Sequence, residues 1–248
     1  MRTSAGLRPL WVLLRHGYWQ LLGGARLLIS ALLVGLTVLP VALIIGAVGD
    51  DGLAEYVGMA RALILPIIVP VICFVFATAA AGGEVRDGTM VNLVTKPYPR
   101  ELVIAAKYLA AVAASLTLLL PVEVIGHLLA VQGVSGGGVL GGLLLATVLG
   151  TLAYSALGLL LGLLMSRALL VGLAYSLLWE GTIAGVAPSA ATLSIRGYTE
   201  AVLSAAAQPD GLGFATRLGP VTSLTAALVV AAIAFLLAAR RLRHTDLR

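Results

Sequence analysis

Long apolar stretches separated by short polar or glycine-rich breaks make up most of the chain. Six of them reach about 20 residues, the length a helix needs to cross a hydrocarbon core. They span Leu27 to Gly49, Ala62 to Gly83, Tyr108 to Val131, Val139 to Ser166, Ala168 to Ala187 and Pro220 to Ala239. The fourth is long enough to tilt or to start outside the core. The expected fold class is all-α: a polytopic membrane protein with a six-helix transmembrane domain over 27–239, an N-terminal segment 1–26 and a basic tail 240–248.

Segments between the spans are short. Asp50 to Arg61 and Gln132 to Gly138 are expected as small external loops, and 188–219 as the longest external segment. Within the latter, Thr199 to Ala207 predicts a short helix stopped by the turn signal Gln208-Pro209-Asp210-Gly211. No segment has room for a folded external domain, which argues against a large receptor-like function. Ahead of the first span, Leu7 to Leu22 sets Leu10, Trp11, Leu13, Leu14, Tyr18 and Trp19 beside Arg8, Arg15 and His16. Aromatic rings with snorkelling arginines predict a helix lying in the headgroup plane. The first apolar stretch is too long for a signal-peptide core and is expected to remain as a span.

Composition supports lipid as the solvent. Hydrophobic residues are 60% of the 248 and charged residues 11%, against about 25% charged in a soluble domain. Charge then sets the orientation. Of the 16 basic residues, 13 fall in the N-terminal arm, the 84–107 region, the turn at Arg167 and the tail; only Arg61, Arg196 and Arg217 fall on the other side. The positive-inside rule makes both termini and the 84–107 region cytoplasmic. A net charge of +5 is thereby accounted for by membrane orientation and contact with anionic lipid, without nucleic acid. The expected location is a bacterial or archaeal cell (inner) membrane.

Inside the spans, Glu123, His127 and Glu180 are the ionisable groups at membrane depth. Burying charge there is expensive, so such groups face protein, water or one another. Glu123 and His127, four apart, share a helix face and form either a pair lining a cargo path or a structural pair. Glu180 is either a polar group on the path or a tie between helices. Gly158 and Gly162 mark a contact face, within the bundle or between two copies. Pro40, Pro66, Pro70 and Pro121 allow kinks. Cys73, the single cysteine, excludes an intramolecular disulfide and is expected as a packing residue.

No Gly-x-x-x-x-Gly-Lys-Ser/Thr loop occurs, so ATP used by this protein would have to bind another polypeptide. Gly133-Val134-Ser135-Gly136 matches the Gly-x-Ser-Gly of rhomboid proteases, yet the only histidine after Ser135 is His244 in the tail, so the base expected from a later span is missing. His16, His127 and His244 are isolated, and no metal or catalytic site is expected.

The charged island Glu84-Val-Arg-Asp-Gly-Thr-Met-Val-Asn-Leu-Val-Thr-Lys-Pro-Tyr-Pro-Arg100, followed by Lys107, lies between the second and third spans. Met90, Leu93 and Val94 share one face of a short helix that Pro97 stops. Glu84, Gly88, Thr89, Leu93, Pro97, Arg100 and Lys107 resemble, at matching spacing, the cytoplasmic region after the second span of type-2 ATP-binding-cassette (ABC) transporter permeases. The resemblance implies a coupling helix at about 84–98 that docks on a separate ATPase, with Glu84, Arg86, Gly88, Thr89, Leu93, Pro97, Arg100 and Lys107 as the coupling residues. Fewer acidic residues stand near Gly88-Thr89 than family members often have, which leaves the salt-bridge partners open. It further implies a permease subunit, not an enzyme, with no cofactor of its own. ATP and Mg would be bound by two copies of the ATPase, and a second permease copy or a related permease would complete the transporter. Export is the direction implied. Small loops and apolar spans favour a hydrophobic or amphipathic cargo. From another class, an ATP-independent channel or secondary transporter would be built around Glu123, His127 and Glu180.

Overall fold

The computed structural model describes residues 7–24, 28, 31, 35, 52–86, 100–131, 136–183 and 192–244, and every regular element among them is helical. In chain order these are α1 (Leu7–Leu21), α2 (Gly52–Met59), a π-helical stretch (Ala60–Ile68), α3 (Val69–Arg86), α4 (Arg100–Ala130), α5 (Gly137–Leu164), α6 (Ala168–Ala174), a second π-helical stretch (Tyr175–Ile183), α7 (Ile195–Ala207), a 3-10 turn (Gln208–Asp210) and α8 (Pro220–His244). Four helices are long and apolar enough to cross a membrane: Gly52–Ala81, Glu101–Ala130, Gly137–Leu164 and Pro220–Leu242. They match the second, third, fourth and sixth expected spans. Ala168–Thr182 is a shorter apolar helix at the place of the fifth. The first, Leu27 to Gly49, lies outside the described residues except for Leu28, Ala31 and Gly35.

α5 is the axis of the bundle, packing against α3, α4, α7 and α8. Apolar side chains gain nothing by leaving lipid for one another, so close backbone approach has to supply the packing. Gly158 and Gly162 provide it: a Cβ at Gly158 would come within 2.8 Å of Ala77 Cβ, and one at Gly162 within 2.7 Å of Ala81 Cβ. The small-residue face expected from the sequence is therefore used inside this chain, between α5 and α3. α1 lies along α4, with Tyr18 Oη 3.1 Å from Thr117 Oγ1, while Trp11 and Trp19 remain exposed.

One expectation needs correction. Asp50 to Arg61 is not a loop: from Gly52 onward it is helix, continuous with the second span through the first π stretch. Leu53, Tyr56, Val57, Ala60 and Ile64 are all buried, and their spacing is that of a helical stripe that the Asp-Asp-Gly turn signal masks. Pro66 lies in the π stretch. A proline lacks the N–H an α-helix would use and crowds the preceding turn, and a wider turn accommodates both defects.

The 188–219 segment contains the expected helix, which starts at Ile195, four residues before Thr199, and ends at Ala207. Ser194 caps it, accepting from Gly197 N at 3.1 Å. Gly211 adopts the left-handed conformation (φ 73°) that closes the turn after Asp210. Rather than lying over the surface, α7 buries Tyr198, Val202 and Leu203 in the main core. A Cβ on Gly150 would meet Thr199 at 3.1 Å, so α7 descends beside α5 to near its midpoint.

Candidate functional site: two buried carboxylates and an arginine-lined cavity

Glu180 lies in the second π stretch and is 2% exposed. Four donors converge on its carboxylate: Tyr154 Oη, Tyr175 Oη at 3.0 Å, and the backbone N–H groups of Ile195 and Arg196, each at 3.1 Å. The last two are first-turn amides of α7, which have no partner within their own helix. Their partial positive charge favours an acidic group, so the carboxylate supplies what the helix end needs. Glu180 thereby joins α5, the second π stretch and α7. Tyr198, one turn into α7, donates to Thr192 O at 2.6 Å; burial first, and the Glu180 carboxylate second, push its phenol above the ordinary range.

Glu123, 1% exposed on α4, has a different environment. Thr147 of α5 donates to its Oε1, whereas Oε2 has no hydrogen-bond partner among the described residues. His127 lies one turn further along the same face and is also buried, its Nδ1 without a hydrogen-bond partner among the described residues. The two share a face as expected, but Glu123 is bonded to Thr147 rather than to the imidazole. Tyr56 Oη donates to the backbone carbonyl of Glu123 at 2.8 Å, its ring lying where a Cβ on Gly126 would stand.

A row of hydroxyls continues from this point. Thr147, Thr151 and Ser155 recur every four residues on α5, and all are buried. Among the described residues the Thr151 and Ser155 hydroxyls, with that of Ser115 on α4, make no hydrogen bond to oxygen or nitrogen, and they gather around the buried Cys73 thiol. The four-residue spacing was the available signal for this row. Single hydroxyls scattered through apolar helices hide it from any reading that looks only for charge.

A cavity of about 370 Å³ opens beside Glu180, lined by Arg61, Arg196 and Arg217 together with Glu200, Ser194 and Thr216. Arg196 Nε donates to Glu200 Oε1 at 2.7 Å, and the Arg61 guanidinium lies 4.0 Å from the Phe214 ring centroid. Both π-helical stretches border the cavity, Arg61 in the first and Glu180 in the second, and Ser176 Oγ donates to Pro66 O at 3.3 Å between them. π-helical turns recur at functional sites because they break the helix register locally.

Few of the coupling residues are described. Glu84 and Arg86 fall in the last turn of α3, and Arg100 begins α4. Gly88, Thr89, Leu93 and Pro97, with most of the expected 84–98 helix, lie outside the described residues. Lys107 donates to Ala80 O at 2.7 Å, binding α4 to α3 near the island. Among the described residues no group of three or more His, Cys, Asp or Glu side chains is arranged to hold a metal ion.

An all-helical bundle with four helices long and apolar enough to cross a membrane is a multi-pass membrane protein. The family model described as ABC-2 family transporter protein matches residues 25–193, and the chain belongs to that family: it is an ABC-2 type permease, a transport subunit of the kind that partners an ABC ATPase. No curated protein matches the chain.

Proposed function

We propose that this permease is the transmembrane half of an ATP-driven exporter, coupled to a separate ATPase through a short helix at about 84–98. The carrying observation is the family match across 25–193, which includes the whole island, together with the way α3 and α4 end and begin on either side of it. Two ATPase copies bind ATP and Mg, and a second permease, identical or related, completes the assembly. In this reading Leu27 to Gly49 supplies the first of six spans, both termini and the island face the cytoplasm of a bacterial or archaeal cell, and closure of the ATPases moves the helices as rigid bodies. Glu123 and His127, each with a buried atom unpartnered among the described residues, are the polar groups assigned to the cargo path, with Glu180 bordering the arginine-lined cavity as a further candidate.

The test is a double variant, Glu84→Lys with Gly88→Trp, co-purified with the ATPase. Loss of permease-dependent ATPase activity with unchanged membrane insertion is expected, and normal transport by the variant would refute the coupling assignment. Orientation is tested separately in a Cys73→Ser background. Cysteines at Val91 and His244 should be shielded from an impermeant thiol reagent in intact cells, while those at Gly137 and Asp210 should react. A channel or secondary transporter built on Glu123, His127 and Glu180 would instead work without any ATPase, and transport surviving its deletion would favour that reading.

A further inference from the structure

Five buried polar atoms follow one another through the bundle without a hydrogen-bond partner among the described residues: His127 Nδ1, Glu123 Oε2, Thr151 Oγ1, Ser155 Oγ and Ser115 Oγ. Thr147, bonded to Glu123, joins the α4 groups to the α5 groups. The row begins at the end of the bundle opposite the island, where a Cβ on Gly136 would stand 3.2 Å from the His127 ring. From there to Ser155 is about 28 Å along α5. We propose that this row is hydrated: a file of water molecules runs from the Gly136 end, past Glu123, to the Cys73 thiol.

Spacing and chemistry both suit water. Thr147, Thr151 and Ser155 are about 6 Å apart along the helix axis, and two hydrogen bonds through one water span about 5.6 Å. The row ends where Ser115, Thr151 and Ser155 surround Cys73, all four fully buried. A thiol has one weak donor and a weak acceptor, too little for three hydroxyls. Lipid offers no partner at this depth, and an apolar occupant would leave the hydroxyls dry, which is costly. A metal cation calls for a richer ligand set than the described residues gather anywhere. Buried waters, by contrast, typically make about three hydrogen bonds to polar groups that the protein leaves unpaired. Beyond Ser155 the buried cluster Ala81, Ile104, Leu159 and Ala238 is apolar and closes the row toward the island. Water therefore reaches Cys73 from one end of the bundle, and the solvent that Glu123 meets is the solvent of that end.

The file requires neither cargo nor ATPase, so its test stands apart from the path and coupling assignments. Cys73 is the single cysteine, so its S–H stretch is one infrared band, identified by its loss in Cys73→Ser. Full-length protein in lipid nanodiscs, without ATPase, is transferred to heavy water, and the S–H band is followed beside the amide II band. Conversion of S–H to S–D within minutes, while most of the amide II intensity persists, is expected, because the file carries deuterium to the thiol without opening the helices. Thr151→Val keeps the shape and removes one link. It should slow the conversion about tenfold or more and lower the thermal midpoint, since a hydroxyl bonded to water is lost. In a dry interior the same variant removes an unpaired hydroxyl and leaves the midpoint unchanged or raised. If Thr151→Val does not fold, Ser155→Ala is judged by the same two readings. An S–H band that persists for hours, conversion only in step with amide II, a variant that converts as fast as the wild type, or a midpoint unchanged or raised overturns the proposal.

Discussion

Glu123 and Glu180 are both carboxylates buried in apolar helices, and both reach α5, at Thr147 and at Tyr154, two turns apart. One is bonded through a single oxygen to a single hydroxyl. The other accepts four hydrogen bonds, enough to occupy the lone pairs a carboxylate offers. An acidic residue at membrane depth is costly in both places, so position alone does not separate their roles. The donors do. At Glu180 the partners come from three elements, and without it a helix end and two phenols would be stranded. At Glu123 the second oxygen has no partner among the described residues, nor has Nδ1 of His127 one turn away.

The largest effect expected from this contrast is that of Glu180→Ala. Four donors lose their acceptor, at about 1–3 kcal/mol for each group left unsatisfied, so the yield of monodisperse protein and its thermal midpoint should fall sharply. A Glu180→Ala protein with wild-type yield would erase the distinction. A smaller change is expected for Thr147→Val, which removes the partner that Glu123 has among the described residues: about 1–3 kcal/mol for the single group left unsatisfied, read as a smaller shift than that of Glu180→Ala in a detergent thermal melt. A large loss of fold there would mean that Glu123 is a structural tie as well. Smallest in stability is Glu123→Gln, which keeps an acceptor for Thr147 and supplies a donor at the vacant oxygen, so the melt should move by less than about 0.5 kcal/mol. Cargo-stimulated ATPase activity should nonetheless change if the charge at Glu123 serves the path. A silent Gln variant in that assay would take Glu123 off the path.

The spans were readable because lipid imposes a simple length and polarity rule, and Ala62 to Gly83, Tyr108 to Val131 and Val139 to Ser166 each correspond to a long helix. The rule fails where polar residues belong to a buried helix. Asp50 to Arg61 carries enough charge to resemble a loop, although its apolar stripe continues into the span. The three ionisable residues at depth were found in the same way, by rarity. What made one of them a tie was not local: Tyr154, Ile195 and Arg196 are brought to Glu180 only by the packing of α5 and α7. Arg61, Arg196 and Arg217 were visible only as exceptions to a charge bias, since a count of charges carries no information about which of them meet.

The four bonds at Glu180 also have a topological effect. By holding the first turn of α7 to the second π stretch, the side chain joins two points of the chain separated by the fourteen residues Gly181 to Ser194 without a covalent crosslink. The entropy of such a closure grows only with the logarithm of loop length, about 0.6 kcal/mol for each doubling. The clasp therefore fixes where α7 begins relative to the second π stretch. Residues added between Tyr175 and Glu180 would carry the carboxylate away from Tyr175 and from the first turn of α7, so a change of spacing there undoes the clasp.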